Sequence, residues 1–167
     1  MEKEKKVAIV TGGSGGIGRC TAAALSRAGC RVYELSRRER PAEGVIHLTA
    51  DVTDEEQTRA AVEQVMEREG QIDILVNNAG FGISGAAELT ESRYSHAQLE
   101  LNLFGMDNMT RAVLPVMRAQ GGGRIVCMSS IAGIVPIPFQ LWYSVSKSAV
   151  ISYVLALQNE VRPFNIS

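Results

Sequence analysis

Several things are scarce in this chain of 167 residues. Three cysteines occur, Cys20, Cys30 and Cys127, scattered and without metal spacing. They build no disulfide framework and fit a reducing cytoplasm in which thiols serve as small apolar residues. The two histidines, His47 and His96, stand far apart, so each is expected to be structural or on the surface, and no metal site is expected. An excess of one charge is also missing, since 17 basic residues face 18 acidic ones for a net charge of -1. Neither nucleic acid nor an anionic membrane is therefore an expected partner. No long apolar run exists either: the stretch from Ile131 to Phe139 is broken by Pro136 and Pro138 and is too short to span a bilayer. The opening Met1-Glu2-Lys3-Glu4-Lys5-Lys6 is a charged tail with no apolar segment behind it, unlike a signal peptide.

What is present fits one folded domain over 1–167. Hydrophobic residues make up 46% and charged residues 21%, enough for a substantial core under a charged surface. Val7 to Thr11 reads as a buried strand, followed by glycines and an alanine-rich helix from about Gly16 to Ala28, which Gly29 ends. Arg31 to Leu35 and Val45 to Leu48 read as strands. Thr53-Asp54-Glu55-Glu56 reads as a capping box opening a helix to about Arg68, with Gly70 after it. Ile72 to Val76 is a fourth strand. A long helix is expected from about Arg93 to Ala119, bent or broken at Pro115. Arg124 to Met128 is a fifth strand, and Trp142 to Val161 a last helix. The strands are short, apolar and without period-2 polarity, and they alternate with helices. That pattern implies an α/β fold, a doubly wound parallel sheet in three layers with both faces covered.

Beyond Val161, the segment Arg162-Pro163-Phe164-Asn165-Ile166-Ser167 reads as the exit from a helix into another strand. A sheet ending at the fifth strand would expose an apolar edge, which invites aggregation. The expectation is that Ser167 is not the natural terminus and that the last strands of the sheet lie beyond it.

Between the first strand and its helix stands Thr11-Gly12-Gly13-Ser14-Gly15-Gly16-Ile17-Gly18. Glycines there permit a tight turn, close approach of backbone to a diphosphate, and close packing of helix on strand. The helix N-terminus adds free N–H groups and a dipole that favours an anion. Gly13, Gly15 and Gly18 fit the general dinucleotide spacing. A phosphate-binding P-loop fails here, because Arg19 and Cys20 occupy the positions that need Lys and Ser or Thr. At the end of the second strand, Ser36 stands in the selector position with Arg37 and Arg38 behind it. Arginine binds phosphate in a bidentate fork, so these residues favour NADP(H) through its 2′-phosphate. Glu34 keeps NAD(H) possible, and both arginines could be plain surface charges.

Tyr143 and Lys147 stand four apart, and on a helix such a pair shares a face. The ammonium favours an ionised phenol, so this tyrosine is suited to exchange a proton in a reaction. Ser130 lies upstream at the end of the fifth strand.

Taken in order, Thr11-Gly12-x-x-x-Gly16-Ile17-Gly18, Asn77-Asn78-Ala79-Gly80, Asn102-Leu103-Phe104-Gly105, and Ser130 with Tyr143-x-x-x-Lys147 resemble the short-chain dehydrogenase/reductase family, from Lys6 to the last residue. The resemblance implies a Rossmann-type domain and an NAD(P)-dependent oxidoreductase that exchanges hydride with a carbonyl or secondary alcohol. It implies Tyr143 as general acid/base and Lys147 as its partner and ribose ligand. Ser130 would bond the substrate oxygen, and Asn102 would hold a water in a proton relay. Gly12, Ser14, Gly15, Gly16, Ile17 and Gly18 would line the cofactor's diphosphate, Asp51 and Val52 its adenine, and Asn78, Ala79 and Gly80 its ribose. Ser129 competes with Ser130 for the serine role, and Asn102 competes with a purely structural use at a helix bend. Asn77 is expected to bond between strands. Trp142 and Phe139 could wall an apolar substrate or pack in the core. The family further implies a homo-oligomer, dimer or tetramer, and a substrate-binding segment that continues past Ser167. The rival function is a non-catalytic NAD(P)-binding regulatory module on the same fold.

Overall fold

The computed structural model describes residues 5–167. The opening charged tail, Met1 to Glu4, lies outside the described residues. Five parallel strands form one sheet: β1 (Val7–Thr11), β2 (Arg31–Ser36), β3 (Val45–Thr49), β4 (Ile74–Asn77) and β5 (Arg124–Cys127), in the order β3-β2-β1-β4-β5. Successive β1 residues point to opposite faces and both faces are covered, so all five are buried. On one face Ile9, Leu35 and Leu75 pack against Val65 of helix α2 (Glu55–Glu69) and Met109, Val113 and Met117 of α4 (Gly105–Ala119). On the other, Ala8, Val10 and Val32 meet Ala22 of α1 (Gly16–Arg27). This is the expected doubly wound arrangement, and it explains why the strands carry no alternating polarity.

The chain runs outward from β1 to β2 and β3, then crosses over through α2 to place β4 on the other edge of β1. A crevice therefore opens outside the carboxyl ends of β1 and β4, where such sheets bind ligands.

Three expectations are revised. The cap of α2 is Asp54, not Thr53: Asp54 Oδ1 accepts from the backbone N–H groups of Glu56 and Gln57, each at 3.0 Å. Thr53 instead turns to Asp51, donating its N–H at 3.0 Å and its hydroxyl at 2.8 Å to one carboxylate oxygen. The long helix is broken, but not at Pro115, through which α4 runs unbroken to Ala119. Its irregularity is a π-helical turn over Glu100–Phe104, separating α3 (Ser92–Leu99) from α4 and carrying Asn102. Such inserted turns concentrate at functional sites. The fourth strand opens at Ile74, two residues later than its apolar pattern begins, because the Asp73 side chain accepts from the Val7 N–H at 2.7 Å just before the ladder starts.

The last helix, α5 (Leu141–Val161), passes through a 3₁₀ turn and Asn165, whose φ is +57°, before the chain lies beside β5. There Ile166 bridges Gly123 in parallel, and the Ile125 N–H donates to the Ser167 carbonyl at 2.8 Å. The final residues thus take up a strand position on the far side of β5.

Candidate active site

The glycine turn begins where Gly12, at φ +67°, donates its N–H to the Leu35 carbonyl at 2.8 Å. Its positive φ is one that glycine adopts without cost. Helix α1 then starts at Gly15 with no side-chain cap, so its first N–H groups are free to serve an anion. Gly18 lies beneath the turn: a methyl there would sit 2.5 Å from the Gly12 carbonyl oxygen and closer still to the Asn78 amide. Two strands anchor the turn. Thr11 Oγ1 accepts from the N–H groups of Asn78 and Ala79, both at 3.0 Å, and Asn78 Nδ2 donates back to the Thr11 carbonyl at 3.0 Å. Asn78 lines the crevice, but its side-chain amide is given to the turn. Asn77 is buried and donates to Thr110 Oγ1 at 2.9 Å, a structural bond between β4 and α4.

Two cavities meet across this turn. One, of about 530 Å³, is bordered by Ser14, Ser36, Arg37, Arg38, Asp51 and Val52. The other, of about 550 Å³, is bordered by Gly15, Gly16, Ile17, Asn78, Tyr143 and Lys147. Gly12, Ala79, Gly80 and Phe81 line both, so the two form one groove. In the first, Arg37 pairs with Asp51 at 3.6 Å, and the Ser36 hydroxyl donates to the Arg38 carbonyl at 2.8 Å. Glu34 does not reach the groove. It is fully buried under Gly13 and bonded to His47, so it has no path to a ribose. His47 is structural, holding Glu34 through Nδ1 and Thr49 Oγ1 through Nε2 at 2.9 Å.

In the second cavity, α5 presents Tyr143 and Lys147 on one face. Lys147 is buried and donates to the Met128 carbonyl at 2.7 Å, with Nζ 5.8 Å from the centre of the Tyr143 ring. Burial holds its ammonium below the ordinary lysine value, partly offset by the Cys127 side chain. The strand-five segment is clamped to α5: Ser129 donates its hydroxyl to the Lys147 carbonyl at 2.8 Å, and Ser148 donates to the Gly133 carbonyl at 2.6 Å. Ser130 accepts from the Ala132 N–H at 3.2 Å, which leaves its own hydroxyl proton uncommitted. Ser129 lines the cavity wall and Ser130 begins the short 3₁₀ turn beyond it.

Asn102 is buried behind this wall. Its Nδ2 donates to the Phe81 carbonyl at 2.9 Å and to Ser146 Oγ at 3.0 Å, and its Oδ1 accepts the Phe81 N–H at 3.0 Å. The side chain therefore does bond backbone in a helix irregularity, while tying the segment after β4 to α5. Thr11 and Ser146 are participants that the sequence motifs did not single out as site residues. Among the described residues, no group of three His, Cys, Asp or Glu side chains could hold a metal, and no helix is long and apolar enough to cross a membrane.

The sequence profile of the short chain dehydrogenase family matches residues 6–167. The chain belongs to the short-chain dehydrogenase family. A 3-ketodihydrosphingosine reductase of Bacteroides thetaiotaomicron is 44% identical over 164 residues, covering 98% of this chain and 61% of the relative. A 3-oxoacyl-[acyl-carrier-protein] reductase of Thermotoga maritima is 34% identical, covering 99% of this chain and 72% of that protein. Among solved structures, a short-chain dehydrogenase from Streptomyces avermitilis superposes with a TM-score of 0.92 at 36% identity, covering 99% of this chain and 64% of the other. The ligand-free aldohexose dehydrogenase of Thermoplasma acidophilum gives 0.93 at 30% identity, with 97% and 64% covered. The chain thus spans a little over three-fifths of the Bacteroides relative's length.

Proposed function

We propose that the chain carries the dinucleotide groove and acid–base residues of an NADP(H)-dependent oxidoreductase acting on a carbonyl or secondary alcohol. Tyr143 and Lys147 share one cavity with the glycine turn, and that placement carries the proposal. The residues present fit a dinucleotide: the groove is continuous, its central turn has uncapped helix N–H groups, and Gly12 and Gly18 leave no room for side chains. When bound, the cofactor supplies or accepts the hydride.

The rest of the chemistry falls to the protein. Tyr143 gives its proton to the substrate oxygen during reduction and takes it back during oxidation. Lys147 spends one N–H on Met128 and has two left for the ribose and for the side of the groove where phenolate charge develops. Ser130, with its hydroxyl proton free, donates to the same substrate oxygen, whereas Ser129 already donates its hydroxyl to the Lys147 backbone carbonyl. The relay that reprotonates the site is assigned to Asn102 as the family resemblance implies, although its side-chain amide is itself spent on Phe81 and Ser146. Arg37 and Arg38 border the adenosine end and favour a 2′-phosphate.

The substrate class we infer is apolar. Ile131, Ile134 and Phe139, just upstream of Tyr143, remain 68%, 70% and 69% exposed. The Bacteroides relative is named as a 3-ketodihydrosphingosine reductase. Tyr143→Phe tests the acid–base role. NADPH binding should persist while ketone-dependent NADPH oxidation falls by about a hundredfold or more. Full activity in Tyr143→Phe would refute it, and a parent chain that binds NADPH but oxidises it with no ketone would point to a binding module.

A further inference from the structure

Gln98 is fully buried on the last turn of α3, and it belongs to none of the motifs above. Burying a primary amide is costly unless its polar atoms are used. Gln98 Nε2 donates to the Phe81 carbonyl at 2.9 Å, while Oε1 is buried without a partner among the described residues. Asn102, one helical turn further on, donates to the same carbonyl at 2.9 Å. The Phe81 peptide is thus gripped by two side chains, its carbonyl by both and its N–H by Asn102.

The gripped peptide sits at the joint of the groove. Phe81 lines both cavities. Its neighbours are glycines whose missing side chains mark close approach. A methyl on Gly80 would lie 2.9 Å from Asn102 Oδ1 and 3.7 Å from Lys147 Nζ, and one on Gly82 would lie 3.3 Å from the Tyr143 ring. Any drift of Phe81 is therefore felt by Lys147 on one side and Tyr143 on the other. Asn102 has no further donor for the carbonyl, since the second proton of Nδ2 goes to Ser146, whose hydroxyl donates to the Tyr143 carbonyl at 2.8 Å.

We propose that Gln98 is a positioning residue for the dinucleotide and for Tyr143, acting through the Phe81 carbonyl without touching either. This rests on the dinucleotide reading of the groove. The test compares the parent chain with Gln98→Met, which keeps the length and removes the donor, and with Gln98→Glu, which donates to the carbonyl only when protonated. NADPH binding is followed by its fluorescence from pH 5 to 9, with thermal melting as the control for folding. Gln98→Met should melt cooperatively and bind NADPH about fivefold more weakly, equivalent to about 1 kcal/mol of positioning lost from the bound state. Gln98→Glu should regain affinity relative to the parent as pH falls. Binding by Gln98→Met within twofold of the parent overturns the proposal. So does a Gln98→Glu profile that runs parallel to the parent's, which decides the matter if Gln98→Met fails to fold. A parent that binds neither NADPH nor NADH removes the dinucleotide reading itself, an outcome distinct from either.

Discussion

Replacing Gly18 by alanine adds one methyl group where α1 crosses the end of β1. Its position is 2.5 Å from the Gly12 carbonyl oxygen and nearer still to Asn78 Nδ2. The Gly12 backbone cannot retreat freely, because its N–H is bonded to Leu35 at 2.8 Å. Asn78 can swing away only by giving up its bond to Thr11. Overpacking of this kind costs ~1–3 kcal/mol and the lost hydrogen bond ~1 more, while alanine's better helix propensity returns up to ~1. The net expectation is a loss of about 1–3 kcal/mol, or about 3–10 °C in melting temperature for a chain of this size. Gly15 provides the contrast, for its backbone is extended at φ -164° and nothing lies within 4 Å of the methyl it would gain. Gly15→Ala should therefore lower the urea midpoint only slightly, as alanine is the poorer N-cap, and mainly weaken NADPH binding, by crowding the face on which a diphosphate would rest. Urea unfolding followed by circular dichroism separates the two, with a lower midpoint and an unchanged slope expected for Gly18→Ala. If Gly18→Ala were as stable as the parent, the claim that this glycine serves helix-on-strand packing would be wrong.

Thr11→Val is nearly isosteric but strips two backbone N–H groups of their acceptor, so a loss of about 2–4 kcal/mol is expected in urea unfolding. Tyr153 is held above the ordinary phenol value by burial and then by its hydrogen bond to Asp107. Its contribution is thus intact below about pH 10, where the unfolded phenol still keeps its proton, and is lost as pH rises further. Tyr153→Phe should show a shallower fall in stability between about pH 10 and 12. Lys147, lowered by burial, acts in the opposite direction but equally in both chains. Arg37→Glu with Arg38→Glu should shift the ratio of NADPH to NADH affinity toward NADH by tenfold or more, as measured by fluorescence titration, since two forks for phosphate become two repelling charges.

The strands, their order of alternation with helices and the glycine turn were legible because each depends on local pattern: apolar runs, glycine at a positive φ, and helix punctuation. Tyr143 and Lys147 were legible for the same reason, as their spacing is local to α5. What escaped depends on where distant segments meet. Asp54 and Thr53 are both good caps, and the choice fell to Asp54 because Thr53 was drawn to Asp51. Pro115 reads as a helix breaker, yet α4 tolerates it, and the irregularity falls at Asn102, where side-chain bonds to Phe81 and Ser146 converge. Glu34 reads as an acid at a strand end that keeps NAD(H) possible, and only the register of β2 against β3, which places His47 opposite it, shows why it can be buried.

The bonds between Thr11 and the residues after β4 span 67 and 68 positions of sequence. During synthesis, β1 can pair with β2 early, but its other edge stays open until β4 emerges. At about 5–20 residues per second, that interval lasts about 3–13 s. Throughout it, the most apolar strand of the sheet has one unpaired side, and the turn beside it lacks its anchor. Unpaired apolar edges recruit other chains. The nascent protein is thus most exposed to misassembly in the seconds between the two halves of its own binding groove.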